Sequence, residues 1–259
     1  MHNTIRDYQQ ASTAKRSPLT GHESRCELRE VPLSTADDRS GALDAEFPEA
    51  DRVTGRRYGL CKRWMDLVLV IAASPLLLAV FLVVAAVVRF SSKGSLFYKH
   101  QRIGRYGTTF TMYKFRTMKV DADQILLDHL LANPAAYQEW MLKHKLCDDP
   151  RLTSCGRFLR MASLDELPQI WNVLRGNMSL VGPRPIIWAE QERYADRFCF
   201  YTAVLPGLTG LWQVSGRSNV TYPVRVSLDE QYVRQWSLGR DLRILLKTPM
   251  AVWSREGAY

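Results

Sequence analysis

Asp165 and Glu166 are adjacent carboxylates at the head of a segment in which Leu167, Ile170, Trp171 and Leu174 share one helical face. Such a pair can complement the positive end of a helix, or it can hold a divalent cation together with phosphate oxygens. Around it in the sequence are cations placed beside Gly, Pro or turn residues rather than in mid-helix: Lys114, Arg116, Arg157, Arg160, Arg175, Arg184 and Arg217. Two carboxylates among so many cations suit a diphosphate and its Mg²⁺, which makes Asp165 and Glu166 candidate metal ligands. Gly182-Pro183-Arg184-Pro185 fixes the backbone on both sides of one guanidinium, so little entropy is lost when Arg184 binds an anion. Pro206 to Arg217 carries glycines at 207, 210 and 216, which suggests a loop whose backbone comes close to a ligand. Taken singly, each motif reads equally well as a helix cap or a turn with a solvated Arg.

The elements that must position these groups follow from periodicity and punctuation. Alternation of Leu96, Phe97, Phe110, Met112 and Phe115 around Gly104 and Gly107 predicts a hairpin. Ala122–Lys145 reads as helical with a break at Asn133-Pro134. Ser163 is expected to cap a helix from Leu164, with Glu166 at its third position and Gly176 closing it. Two further helices are expected at Val224–Trp236 and Leu238–Val252. The second is basic and amphipathic, with Leu242, Ile244, Leu245 and Leu246 beside Arg240, Arg243 and Lys247; it suits a membrane surface and a domain core equally.

From Leu67 to Val88 run 22 residues whose only non-apolar members are Ser74 and Pro75. As a helix the run is about 33 Å long, enough to cross a hydrocarbon layer of roughly 30 Å. A straight span and a bent, re-entrant helix both remain open on these residues. Pro75 cannot donate to the Ile71 carbonyl, and the Ser74 hydroxyl can satisfy the group so freed. Basic residues flank both ends (Arg52, Arg56, Arg57, Lys62 and Arg63; Arg89, Lys93, Lys99, Arg102 and Arg105), which favours one side of the membrane for both.

Residues 1–57 hold eight Leu, Ile, Val or Phe and carry net charge −1, and they read as a disordered tail without a signal peptide. The remainder carries +10 of the chain's +9. A body of that sign suits phosphate-bearing partners, but its cations lack aromatic interleaving and no groove-reading motif accompanies them, so a nucleic-acid partner is not expected. Five cysteines without a CxxC pair argue for a reducing compartment, and the spacing of the five histidines offers no metal site.

In order along the chain stand Lys62-Arg63-x-x-Asp66 with Ser74-Pro75, Tyr113-Lys114-Phe115-Arg116-Thr117-Met118, Asp149-Pro150-Arg151-x-Thr153, Ser163 to Gln169, Asn172 to Pro185, and Pro206 to Arg217. Together they resemble the bacterial polyprenol-phosphate phosphoglycosyl transferases with a single membrane element, from about residue 60 to the C-terminus. Leu131 to Ala136 and the terminal Gly257-Ala258-Tyr259 are most similar to the exopolysaccharide-initiating galactose-phosphate transferases. Gly239-Arg240-Asp241 departs from the bulkier residues usual there, and Pro223 stands where an acidic residue is common.

The resemblance implies an α+β monotopic membrane protein. Its parts would be a tail (1–57), a re-entrant helix broken at Ser74-Pro75 (58–92), and a catalytic domain (93–259) with a small sheet part and interfacial helices, on the cytoplasmic face of the inner membrane. It implies Asp165 as a nucleophile toward a UDP-sugar, UDP-galactose or UDP-glucose being favoured, and Glu166 as its partner in Mg²⁺ binding or proton transfer. Lys114, Arg116, Arg160, Arg184 and Arg217 would take the phosphates. Undecaprenyl phosphate would be the acceptor, membrane lipid a further partner, and a homo-oligomer is compatible with all of this.

Overall fold

The computed structural model describes residues 56–143, 145–216 and 220–253. Residues 1–55 of the expected tail, Cys26, Arg217 and the terminal Gly257-Ala258-Tyr259 lie outside the described residues, while Arg56 and Arg57, assigned to the tail from sequence, are helical.

Helix α1, Arg56–Ser91, dominates the architecture: 36 residues, about 54 Å of helix. Within it Gly59–Ser91 is long and apolar enough to cross a membrane. Val68, Ile71, Leu76, Leu78, Leu82 and Val83 are all more than half exposed, a face suited to lipid. A narrow stripe of Val70, Val84 and Val88 is buried instead against the rest of the protein. The helix does not terminate at Ser74-Pro75. Ser74 Oγ donates to the Ile71 carbonyl at 2.7 Å, so the acceptor that Pro75 leaves orphaned is satisfied locally, as an apolar surrounding requires.

The hairpin forms as the alternation predicts. Strands β1 (Phe97–Ile103) and β2 (Thr109–Phe115) pair antiparallel from Phe97↔Phe115 to Ile103↔Thr109. Phe115 packs with Val84, Val88 and Leu159, and Phe110 and Met112 with Val70, Val173 and Met178, so α1 is bound along the hairpin by two apolar clusters. After it come α2 (Ala122–Ala132), α3 (Pro134–Lys143) and α4 (Ser154–Met161). The Asn133-Pro134 break falls between α2 and α3.

Leu164–Gln169 is a 3₁₀ turn that runs into α5 (Ile170–Arg175), which Gly176 closes at φ 81°. The expected Ser163 cap is not made. Ser163 sits in the left-handed region at φ 56° between α4 and the 3₁₀ turn, a backbone from which its side chain makes no N-cap hydrogen bond. Parallel strands β3 (Ser179–Val181) and β4 (Gly207–Thr209) flank α6 (Phe198–Ala203). The chain closes with α7 (Tyr222–Arg234) and α8 (Leu238–Trp253). On α8, Leu242, Leu246, Met250 and Trp253 form an exposed apolar face, while Ile244 enters the core.

The base of α1 is held by a buried ion pair. Lys62 Nζ donates to Asp241 Oδ2 at 2.7 Å, with both side chains at most 2% exposed. Asp241 also accepts from Tyr232 Oη (2.9 Å) and Trp236 Nε1 (3.0 Å), and Asp66 accepts from the Leu180 amide (3.2 Å). Arg63 donates to the Val173 and Leu174 carbonyls, the last of α5. Breaking such a pair on one side leaves a charge stranded in the interior. Asp241→Asn is therefore expected to cost about 3–5 kcal/mol by denaturant unfolding in detergent. The triple variant Lys62→Met/Asp66→Asn/Asp241→Leu, which strands no charge, should recover part of that loss. A single variant as stable as the parent would remove the pair from this role.

Candidate active site

Four elements converge on the carboxylate pair. The 3₁₀ turn presents Asp165 and Glu166, β2 presents Lys114, the Gly182–Pro185 loop presents Arg184, and the C-terminal turn of α4 presents Arg160. Lys114 Nζ donates to Glu166 Oε1 at 2.6 Å and stands 3.4 Å from Asp165 Oδ2. Arg184 Nη1 is 3.6 Å from the same Glu166 oxygen. Asn172 fixes the relation between strand and turn: its Nδ2 donates to the Thr111 carbonyl (2.7 Å), and its Oδ1 accepts from the Tyr113 amide (3.3 Å). The next residue on that strand is Lys114.

Asp165 is 6% exposed. Burial pushes its carboxyl above the usual carboxylate range; Lys114 opposes this most strongly, Glu166 adds to it, and Arg160 opposes it. The Arg160 Nε donates to Thr117 Oγ1 at 2.9 Å, which aims its guanidinium. Cations crowd this side of the molecule. Arg102 is drawn below the ordinary guanidinium range by burial and then by Arg184, and Lys145, though exposed, feels the nearby charges of Arg184, Arg160 and Arg225. Repulsion of that kind marks an excess of positive charge that an anionic ligand would relieve.

Of the residues singled out from sequence, Asp165, Glu166, Lys114, Arg160 and Arg184 are brought together. Arg116 is not placed with them: its Nη2 donates to the Ser92 carbonyl and hydroxyl, both at 2.8 Å, and secures the end of α1. It follows the last residue of β2, where nearer acceptors claim it. Arg157 is exposed and pairs with Asp148, and Arg175 lies over the Trp171 ring. Two glycines of the Pro206 loop, Gly207 and Gly210, are required by the backbone itself, and Gly207 also lines the cleft beside Arg102, Glu166 and Arg184. A Cβ at Gly207 would come within 2.1 Å of the Gly182 amide nitrogen, and one at Gly210 within 2.3 Å of the Gly182 carbonyl. They let two segments of chain pack backbone to backbone, and that packing is what steadies the Arg184 loop; the Gly207 amide donates to Pro183 O at 2.7 Å.

Sequence reasoning gave no site role to Lys145, nor to Arg102, Thr117 and Gln169, although these three fall in strings that carry the family resemblance. Gln169 is 2% exposed with its Nε2 unpaired, and it lines a small cleft with Arg102, Glu166 and Arg184. Its place one helical turn from Asp165 was the available signal. Among the described residues no cluster of three or more His, Cys, Asp or Glu is present. The Asp165–Glu166 pair suits a cation such as Mg²⁺, which takes one or two carboxylates and completes its shell with water and phosphate oxygens.

The family model for bacterial sugar transferases matches residues 57–255. The exopolysaccharide production protein ExoY of Sinorhizobium fredii is 50% identical over 201 residues, 78% of this chain and 89% of that protein. The undecaprenyl-phosphate galactose phosphotransferase of Salmonella typhimurium is 48% identical over 202 residues, 76% of this chain and 41% of its own length. The UDP-glucose:undecaprenyl-phosphate glucose-1-phosphate transferase of Caulobacter vibrioides is 38% identical over 251 residues, covering 90% and 88%.

Lys114 is the strongest influence keeping Asp165 ionised. Lys114→Met should raise the Asp165 pKa further, so the acid limb of the pH–rate profile should move to higher pH. Turnover near neutrality should fall about 10²-fold, as when one preorganised charge donor is removed. An acid limb at the parental pH would show that Lys114 does not control Asp165.

Proposed function

The chain belongs to the bacterial sugar transferase family, and from that membership we propose that it moves a sugar 1-phosphate from a UDP-sugar to undecaprenyl phosphate. The products are UMP and undecaprenyl-diphosphate-sugar, and the step opens exopolysaccharide assembly. The observation that carries this reading is the buried Asp165 beside Glu166, Lys114 and Arg184, next to a long lipid-facing helix. Galactose and glucose are the sugars to try first, since the relatives' names carry them.

In the mechanism, an Asp165 carboxylate oxygen attacks the β-phosphorus of the donor. The bond from that phosphorus to the bridging oxygen breaks, and UMP leaves with the electron pair. An aspartyl phosphosugar results, which divides one difficult transfer into two. A phosphate oxygen of the acceptor then attacks the same phosphorus, and the bond to Asp165 breaks to regenerate the carboxylate. Burial makes Asp165 a less solvated and more basic nucleophile than an exposed carboxylate. Lys114, Arg160 and Arg184 face the oxygens on which charge develops, usually the main contribution to phosphoryl transfer. Lys114 and Arg184 also hold Glu166 in place. Mg²⁺ held by Asp165 and Glu166 would neutralise phosphate charge.

Wild-type protein given UDP-sugar without acceptor should release about one equivalent of UMP, and chelation should stop that release. Asp165→Asn should abolish it. The same substitution should leave the melting temperature no lower, because a buried carboxylate with a raised pKa is destabilising once ionised. Full transfer by Asp165→Asn would exclude the covalent route.

The donor is cytoplasmic, so the reading places both ends of α1 on the cytoplasmic face of the inner membrane. Cys26 reports on this. With the other cysteines replaced and activity retained, an impermeant maleimide should miss Cys26 in intact cells. Strong labelling would establish a straight span.

A further inference from the structure

Between α1 and α4 runs a groove of about 330 Å³ whose lining is wholly apolar. Val80, Val83 and Val87 form one wall, and Phe158, Leu159 and Leu164 the other. Val83 (64% exposed), Val87 (44%) and Phe158 (58%) leave its outer side open where α1 faces lipid, while Leu159 (2%) closes its floor. A dry, apolar space of this kind takes an apolar occupant.

Its position in the chain says which. Leu159 is followed by Arg160, and Leu164 by Asp165. The groove and the charged site therefore share two elements, the C-terminal turn of α4 and the start of the 3₁₀ turn. An occupant whose head group reaches Asp165 must have a phosphate at one end and a flexible hydrocarbon chain at the other. Resting on the proposed acceptor chemistry, we infer that this groove seats the first isoprenyl units of the polyprenyl phosphate and delivers its phosphate to Asp165. Unbranched acyl chains of bulk phospholipid have the same access from the bilayer, but their glycerol-linked phosphodiester cannot act as the attacking group. The groove would therefore separate acceptor from bulk lipid by chain shape and by where the chain places its phosphate.

The probe is a benzophenone-bearing geranyl phosphate, irradiated with full-length protein in phosphatidylglycerol nanodiscs. Crosslinks should map to peptides containing Val80–Val87 and Phe158–Leu164, and undecaprenyl phosphate should compete them away. Val83→Trp fills the groove. Each methylene lost from an apolar site costs roughly a factor of four in affinity, so crosslinking should fall, and the KM for undecaprenyl phosphate should rise, about tenfold or more. Leu82→Trp, on the lipid-facing surface outside the groove, should change neither. UMP release without acceptor should stay parental in Val83→Trp. Unaltered crosslinking in Val83→Trp, crosslinks elsewhere, or no competition by undecaprenyl phosphate over the bulk phosphatidylglycerol would overturn the assignment. Absence of UMP release from the wild type would instead count against the proposed reaction, and the crosslinking result would still decide the groove.

Discussion

A carboxylate taken out of water needs cations built against it, and Lys114 is set against both Asp165 and Glu166 to oppose the effect of burial. Much of the fold can be traced to this requirement. The hairpin exists close to the 3₁₀ turn because Asn172 bonds to β2 on either side of its carboxamide. The Arg184 loop is steadied by glycine contacts with the Pro206 segment, and Arg160 is aimed by Thr117. Each cation thus comes from a different element, and none can relax away from its neighbours without breaking a tertiary contact. The resulting excess of positive charge is what an incoming diphosphate would offset.

The second requirement is that this charged site sit at a lipid surface. Helix α1 sends most of its apolar side chains outward, so its apolar packing on the domain uses one stripe, Val70, Val84 and Val88 with Val80, Phe81 and Ala85 beside them. A contact so narrow is reinforced at its base by Lys62, Asp66 and Asp241, where the direction of the helix relative to α8 is fixed by charge rather than by area. Buried pairs are seldom stabilising compared with apolar packing. Their use here fits a joint in which geometry matters more than strength.

Local chemistry was legible in the sequence. The hairpin with its glycines, the Asn133-Pro134 break, Gly176 as the end of α5 and the Ser74 hydroxyl bonded to Ile71 are decided within a few residues. So were the carboxylate pair and three of its cations, since motif order and charge pointed to one site. What could not be read depends on long separations. Lys62 and Asp241 are 179 positions apart, and in the sequence Asp241 stood only as part of a departure from the bulkier residues usual there. Arg116 shares its motif with Lys114, yet it serves the end of α1, because the strand stops between them. The Gly207 and Gly210 contacts look the same in sequence whether they admit a ligand or a second backbone. Ser163 failed as a cap for a similar reason: the path of the chain, not its residue type, put it in the left-handed region.

The central claim is that Asp165 carries the sugar phosphate between donor and acceptor. The most direct measurement is mass spectrometry on protein quenched in acid after exposure to UDP-sugar alone, followed by peptide mapping. The account predicts a phosphohexose on the Ser163–Gln169 segment, bound at Asp165 and removed when undecaprenyl phosphate is added before the quench. An adduct on any other residue, or unmodified protein whose UMP release needs both substrates together, would contradict it.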